Sequence, residues 1–310
     1  MKMKKACLRE AYGKELLSQA RIHKNIVALD ADLSRSTMSC YLSEEFPDRF
    51  FEMGIAEQNM VSTAAGLSLT GKIPFVNSFA VFAAGRPYDQ IRQGVALPKL
   101  NVKIVGSSCG LSDAGDGATH QSIEDISIMR SIPNMTVLSP VDAVETRKAV
   151  RAMIEYDGPV YIRISRTELP VITREEDPFE IGKVSKIADG TDLTIFATGS
   201  MVHKALEARE ELAKINISAR IINVSAIKPL DVENIKKYAG DVKAVITAEE
   251  HSIIGGLGGA IAEALSDELI RIKRVGIQDR FGQSAGDHEE LLEHYRLTAA
   301  EIVKKAKELL

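Results

Sequence analysis

At 310 residues the chain is long enough for two domains rather than one. Its 39 Lys and Arg against 43 Asp and Glu leave a net charge of −4 with no long basic run, which argues against nucleic acid or an anionic membrane as partner. The opening "MKMKKACLREAYG" is basic but has no apolar run behind it, and no stretch approaches the ~18–20 apolar residues of a membrane span. Cys7, Cys40 and Cys109 show neither paired nor metal-like spacing. The expectation is free thiols in a reducing, cytoplasmic setting.

Apolar runs alternate with amphipathic ones along the chain. Strands are expected at "NIVALD" (25–30), "IPFVNS" (73–78), "NVKIVGSS" (101–108), "MTVLSP" (135–140) and "PVYIRIS" (159–165). Helices are expected near 7–20, 55–70, 85–96, 122–130 and 141–155. Strands that are apolar throughout, with helices between them, predict a parallel sheet covered on both faces. The stretch 167–192, with two prolines and dense charge, breaks this rhythm and reads as a linker. After it the alternation restarts with "LTIFATG" (193–199), "ISARIINVS" (217–225), "VKAVITAEE" (242–250) and "IKRVGIQD" (272–279). The prediction is two tandem open-sheet α/β domains, 1–166 and 191–310, joined by a linker at 167–190.

In such sheets ligands bind at the carboxyl ends of the strands. Here those ends carry "DADLSRS" (30–36), "NSFAVF" (77–82), "SSCGLSDAGDGATHQ" (107–121) and "SR" (165–166). Asp32, Ser36, Asp116, His120 and Arg166 could therefore meet in one crevice. Turn chemistry alone accounts for any single Asp, Ser or Gly among them. Their recurrence at every strand end, beside Phe79 and Phe82, points to a binding site. One carboxylate also needs an explanation. In "FFEMGIAEQNM" (50–60), Glu57 sits in an apolar, amide-rich run ahead of a small-residue helix. A buried carboxylate must be paired or kept protonated. The expectation is an apolar cage of Met53, Ile55 and Met60 around it.

Six motifs in the first half occur in a telling order: "GIAEQNMVSTAAG" (54–66), "PFVNSFAVF" (74–82), "RPYDQIRQ" (86–93), "GDGATHQSIEDI" (115–126), "PNMTVLSPVD" (133–142) and "IRISR" (162–166). "IKPLD" (227–231), "EEHSIIGGLGGA" (249–260) and "DRFGQSA" (279–285) follow. Together they resemble the second half of a transketolase and, more distantly, 1-deoxy-xylulose-5-phosphate synthase. The resemblance covers nearly the whole chain. It implies a pyrimidine-binding domain for thiamine diphosphate followed by the transketolase C-terminal domain.

The resemblance also implies roles. Glu57 would hydrogen-bond ring nitrogen N1′ of the cofactor's aminopyrimidine and favour the imino tautomer, which removes the thiazolium C2 proton. Phe82 would stack on the ring while Phe79 lines its pocket, and Asp32 would lie near the cofactor. Arg9, Ser36 and Arg166 match phosphate-binding positions, where cationic donors suit a sugar phosphate. Asp116 and His120 match residues that contact sugar hydroxyls. At Ser108 the family often carries a phosphate-holding histidine. A serine hydroxyl can donate but carries no charge, which leaves the substrate open.

Other patterns carry less. "GDG" (115–117) opens like the thiamine-diphosphate metal motif, but Asn134 comes too early to close it. "GGLGGA" (255–260) lacks the dinucleotide fingerprint and reads as a tight turn with close helix packing. The histidines of "HEELLEH" (288–294) are six apart, on different helix faces, so zinc is not expected. His251 is expected to support a turn or an interface.

Without a diphosphate motif, the resemblance implies a split enzyme. A separate N-terminal subunit would bring Mg²⁺, diphosphate ligands and acid–base histidines, in an α2β2 heterotetramer. The expected reaction is transfer of a two-carbon ketol unit from a ketose phosphate to an aldose phosphate. Three other readings stay open: a deoxy-xylulose-phosphate-synthase-like or specialised-sugar subunit, a 2-oxo-acid dehydrogenase β subunit, and a non-catalytic scaffold.

Overall fold

The computed structural model describes residues 4–310. The first half contains β1 (Lys5–Cys7), β2 (Ile26–Asp30), β3 (Phe50–Glu52), β4 (Ile73–Phe79), β5 (Lys103–Ser107), β6 (Thr136–Leu138), β7 (Val160–Ile164) and β8 (Glu168–Pro170). The second contains β9 (Ser185–Ala188), β10 (Leu193–Ala197), β11 (Ala219–Asn223), β12 (Ala226–Lys228), β13 (Ala244–Ser252) and β14 (Arg271–Ile277). They form a seven-stranded sheet, β12-β6-β7-β5-β4-β2-β3, and a five-stranded sheet, β14-β13-β10-β11-β9. Within these two sheets every neighbouring pair is parallel except β12 on β6 and β9 on β11, while β1 and β8 form a small sheet of their own.

Burial explains why the main strands were legible. β2, β4, β5, β7, β10 and β11 are buried at every residue, because helices cover both faces of each sheet. The nine expected strands are all present. The short strands β1, β3, β8, β9 and β12 were not anticipated, since three or four residues show no readable period. One of them binds the halves together. β12 leaves the second half to pair with β6, with Ala226 opposite Leu138. β1 pairs antiparallel with β8, Lys5 opposite Pro170.

The helix expected over 85–96 is instead broken. A helix over Ala80–Gly85 is followed by a π-helical stretch, Gln90–Ala96. Pro87 between them cannot donate to the ladder and crowds the preceding turn. The stretch 167–192 contains β8 and β9 and is tied down. The Asp142 carboxylate accepts from the backbone N–H of Ile172 (2.7 Å) and Thr173 (2.6 Å), and Lys148 Nζ donates to the Asp177 carbonyl at 2.7 Å. Among the described residues no helix is long and apolar enough to cross a membrane.

Candidate active site

The parallel order brings the carboxyl ends of β3, β2, β4, β5 and β7 to one edge. β3 runs into the turn before the helix Glu57–Ser68. β4 ends at Phe79, β5 leads to Ser108 and the loop 109–123, and β7 ends just before Arg166. This is where an open parallel sheet receives its ligand.

At this edge Glu57 is the first residue of its helix and only 4% exposed. Arg86 Nη1 donates to Glu57 Oε1 at 2.7 Å, and the guanidinium lies 4.0 Å over the centroid of Phe82. The Phe79 and Phe82 rings are near parallel, at 17° with centroids 6.1 Å apart. His120 presents its edge to Phe82 at 5.2 Å and to Phe79 at 6.2 Å, and its Nδ1 lies 2.9 Å from Thr119 Oγ1. Four sequence-predicted residues are thus brought together around an arginine that was not singled out. Arg86 stands one helical turn after Phe82, and that i, i+4 spacing is the signal that could have found it.

The surroundings of Glu57 differ from the expected apolar cage. Met60 is buried and Met53 half-buried, but Ile55 is 73% exposed. The turn at Gly54, with its left-handed φ of +65°, carries Ile55 outward. A guanidinium, not a methionine, faces the carboxylate. The arrangement nevertheless tests whether an aminopyrimidine suits these residues. A flat, N–H-bearing cation already lies on the face of Phe82 and donates to Glu57, and a flat nitrogen heterocycle makes the same two demands. The donor set fits that ring.

A second group forms around Arg166. Arg166 Nη1 pairs with Asp113 Oδ2 at 3.1 Å, and its backbone N–H donates to Ser112 Oγ at 3.1 Å. Burial raises the Asp113 carboxyl, against the pull of Arg166; Asp116 raises it further and His120 lowers it. Asp113, Asp116, His120 and Arg166 thus share one field, and Asp113 was missed. Ser108, fully buried with a left-handed φ of +55°, turns the chain from β5 into this loop.

The third group lies at the end of β2. Arg9 Nη1 donates to the Ser36 carbonyl at 2.7 Å. Asp32, exposed and at φ +63°, donates its backbone N–H to Glu52 Oε1 at 2.8 Å. Beneath them Asp30, also missed, accepts from Leu33 N (2.6 Å), Thr37 Oγ1 (2.7 Å) and Ser39 Oγ (2.8 Å). Burial pushes its carboxyl up to about 6 against those three donors. Asp30 therefore shapes the turn that presents Asp32 and Ser36. No hydrogen bond joins Arg9 or Ser36 to Arg166 among the described residues, so the expected cationic fork is divided between two groups.

Buried polar atoms without a partner collect along the same edge: the hydroxyls of Ser78, Ser107 and Ser108, and Arg9 Nε. Such atoms are costly unless something binds them. A cavity of about 660 Å³ lies elsewhere, between Glu145, Lys148 and the segment 172–187. Among the described residues no group of three His, Cys, Asp or Glu side chains could hold a metal ion. His288 turns inward to Glu250, and His294 packs on Tyr295.

Known proteins resemble the chain along most of its length. Residues 4–171 match the family model of the transketolase pyrimidine binding domain, and residues 182–302 that of the transketolase C-terminal domain. A putative transketolase C-terminal section of Methanocaldococcus jannaschii is 49% identical over 305 residues, covering 97% of this chain and 95% of its own. A 6-deoxy-6-sulfo-D-fructose transketolase subunit of Clostridium sp. (strain MSTE9) is 46% identical over 310 residues, covering 100% and 96%. A solved structure described as a split gene transketolase, inactive β4 tetramer, is 46% identical and superposes with a TM-score of 0.90 over 99% of both chains.

Proposed function

Since this chain belongs to the transketolase family, we propose that it is the C-terminal subunit of a split, thiamine-diphosphate-dependent transketolase. The reaction is transfer of a two-carbon ketol unit from a ketose phosphate to an aldose phosphate. The observation that carries this reading is the Glu57 carboxylate beside the Phe79–Phe82 pair, already engaged by a flat N–H donor. Thiamine diphosphate, when bound, supplies a nucleophilic thiazolium carbon. Glu57 holds a proton at N1′ of its aminopyrimidine, Phe79 and Phe82 hold the flat ring, and Asp32 lies near the cofactor. Asp116 and His120 bind sugar hydroxyls. Arg166, Arg9, Ser36 and Ser108 receive the anionic end of the substrate. Mg²⁺ and the diphosphate are held mainly by an N-terminal partner in an α2β2 cytoplasmic assembly. The names of the relatives, a C-terminal section and a split-gene product, support that partner.

Mixing this chain with its N-terminal subunit, thiamine diphosphate and Mg²⁺ tests the reading. Ketol transfer is expected from the complex and none from the isolated chain. Robust turnover by the isolated chain would overturn the split enzyme.

One observation favours a specialised sugar as a second reading. Ser108 is neutral and buried with an unpartnered hydroxyl, and a relative is named for a sulfo-sugar. A sulfonate carries a single negative charge, whereas a phosphate carries up to two, so it needs less cationic help. Comparing kcat/KM for phosphorylated and sulfonated ketose donors decides between them.

A further inference from the structure

The loop 109–123 carries Asp113, Asp116 and His120; its ends meet where Gly110 N donates to the Ser122 carbonyl (2.8 Å), yet between them its only helix is one short turn, Gly117–Thr119. A glycine-rich loop loses much freedom on ordering, so something must hold it. The second domain does so through four hydrogen bonds. Leu111 N donates to Glu250 Oε1 (2.7 Å), Gln121 Nε2 to the Gln283 carbonyl (3.0 Å), Ala285 N to the Ala114 carbonyl (3.0 Å), and Ser252 N to the Ile123 carbonyl (2.7 Å). The fit leaves no room for side chains. A Cβ on Gly110 would lie 2.4 Å from Glu250 Oε1, and one on Gly282 would lie 1.8 Å from Gln121 Oε1.

Glu250 is the centre of this contact. Its Oε1 also receives His288 Nε2 at 2.9 Å, its Oε2 accepts from Ser200 Oγ, and its carbonyl receives Arg163 Nη2 at 3.3 Å. Burial would raise the Glu250 carboxyl and lower the His288 imidazole. Their mutual attraction outweighs this, holding Glu250 below and His288 above the ordinary values. The bond to Leu111 is therefore charge-assisted. A buried charged pair is a poor source of stability compared with apolar packing, so its use here calls for a positional role.

We propose that Glu250 and His288 of the second domain are positioning residues, which clamp the loop 109–123 so that Asp116 and His120 meet the sugar. The assignment to the sugar rests on the function proposed above; the clamp itself does not.

Amide hydrogen–deuterium exchange of the full chain reads the clamp without turnover. Glu250→Ala is expected to speed exchange at Leu111 and along the loop roughly 10–100-fold, as loss of a charge-assisted hydrogen bond implies. β2, β4 and β10 should keep their protection. Glu250→Gln retains an acceptor for Leu111 and should restore most of it. In the complex with the N-terminal subunit, Glu250→Ala should raise KM for an aldose phosphate on the order of tenfold and leave cofactor affinity within about twofold. Should the alanine variant fail to fold, His288→Gln decides, with a rise in loop exchange of roughly 3–10-fold. Unchanged loop exchange in the deciding variant overturns the clamp, as does loosening spread evenly over both sheets. A wild-type complex that transfers no ketol unit overturns the proposed function instead, and the exchange result still decides the clamp.

Discussion

The strand-end edge of the first domain and the seam between the domains are both rich in buried polar groups, but they treat them differently. At the seam every buried charge has a partner. Arg163 forms a two-pronged pair with Asp125 (2.9 and 3.0 Å), which also accepts from Tyr161, and Glu250 is shared among His288, Ser200 and Leu111. At the edge the hydroxyls of Ser78, Ser107 and Ser108 and one nitrogen of Arg9 have none. Three neutral atoms at the seam, Gln121 Oε1 and Ser122 Oγ of the clamped loop and Asn223 Oδ1, share that condition. Satisfied groups make a joint rigid, and unsatisfied ones leave binding capacity for a ligand. The rigid seam thus holds the open edge in shape.

The comparison is sharpened most by Glu57→Gln. An amide cannot share a proton with the ring nitrogen, so hydrogen–deuterium exchange at thiazolium C2 in the reconstituted complex should slow by roughly 10²–10⁴-fold. The variant should assemble normally. Wild-type exchange, read by quench and NMR, would reduce Glu57 to a helix-end residue.

The next largest effect is expected at the seam. Arg163→Met leaves Asp125 buried without its guanidinium, and removing one member of a buried pair costs about 3–5 kcal/mol. Denaturant unfolding of the chain measures it. A loss below about 1 kcal/mol would mean that the seam is no better satisfied than the edge.

Glu145 tests the seam through pH. It is buried in the first domain and accepts from Asn223 and Ser225 of the second, and burial pushes its carboxyl up to about 7 despite those donors. The folded state therefore binds a proton that the unfolded state releases between about pH 4.5 and 7. Stability from this group should fall as pH rises through that window, by roughly 3 kcal/mol in full. Unfolding free energies of wild type and Glu145→Gln, compared at pH 5 and pH 8, should diverge in the variant's favour at the higher pH. A constant difference would refute the shift.

The smallest effect lies at the edge. Arg166→Ala should raise KM for phosphorylated substrates roughly tenfold more than it lowers kcat, because the contact is made in ground and transition states alike. An equal penalty on non-phosphorylated sugars would assign Arg166 to holding Asp113 alone.

Local chemistry made much of this protein legible. Strands buried on both faces must be apolar along their length, so most of the nine stood out, from "NIVALD" to "VKAVITAEE", while β14 is apolar only toward its end. Phe79, Phe82, Glu57 and His120 could be named because ordered motifs surround them. Arg86 offered only its i, i+4 spacing from Phe82, since its pairing with Glu57 depends on the helix Ala80–Gly85 folding back across 29 positions of chain. Asp30 and Asp113 read as ordinary turn residues until their partners are in place. β12 is three residues long, and its place beside β6 comes from the packing of one domain on the other. The same holds for Glu250, whose carboxylate meets Leu111 across 139 positions. Periodicity and turn chemistry act over a few residues and are written in sequence. Pairing of buried charges and closure of long loops depend on which surfaces meet, and that is decided only when the whole chain has folded.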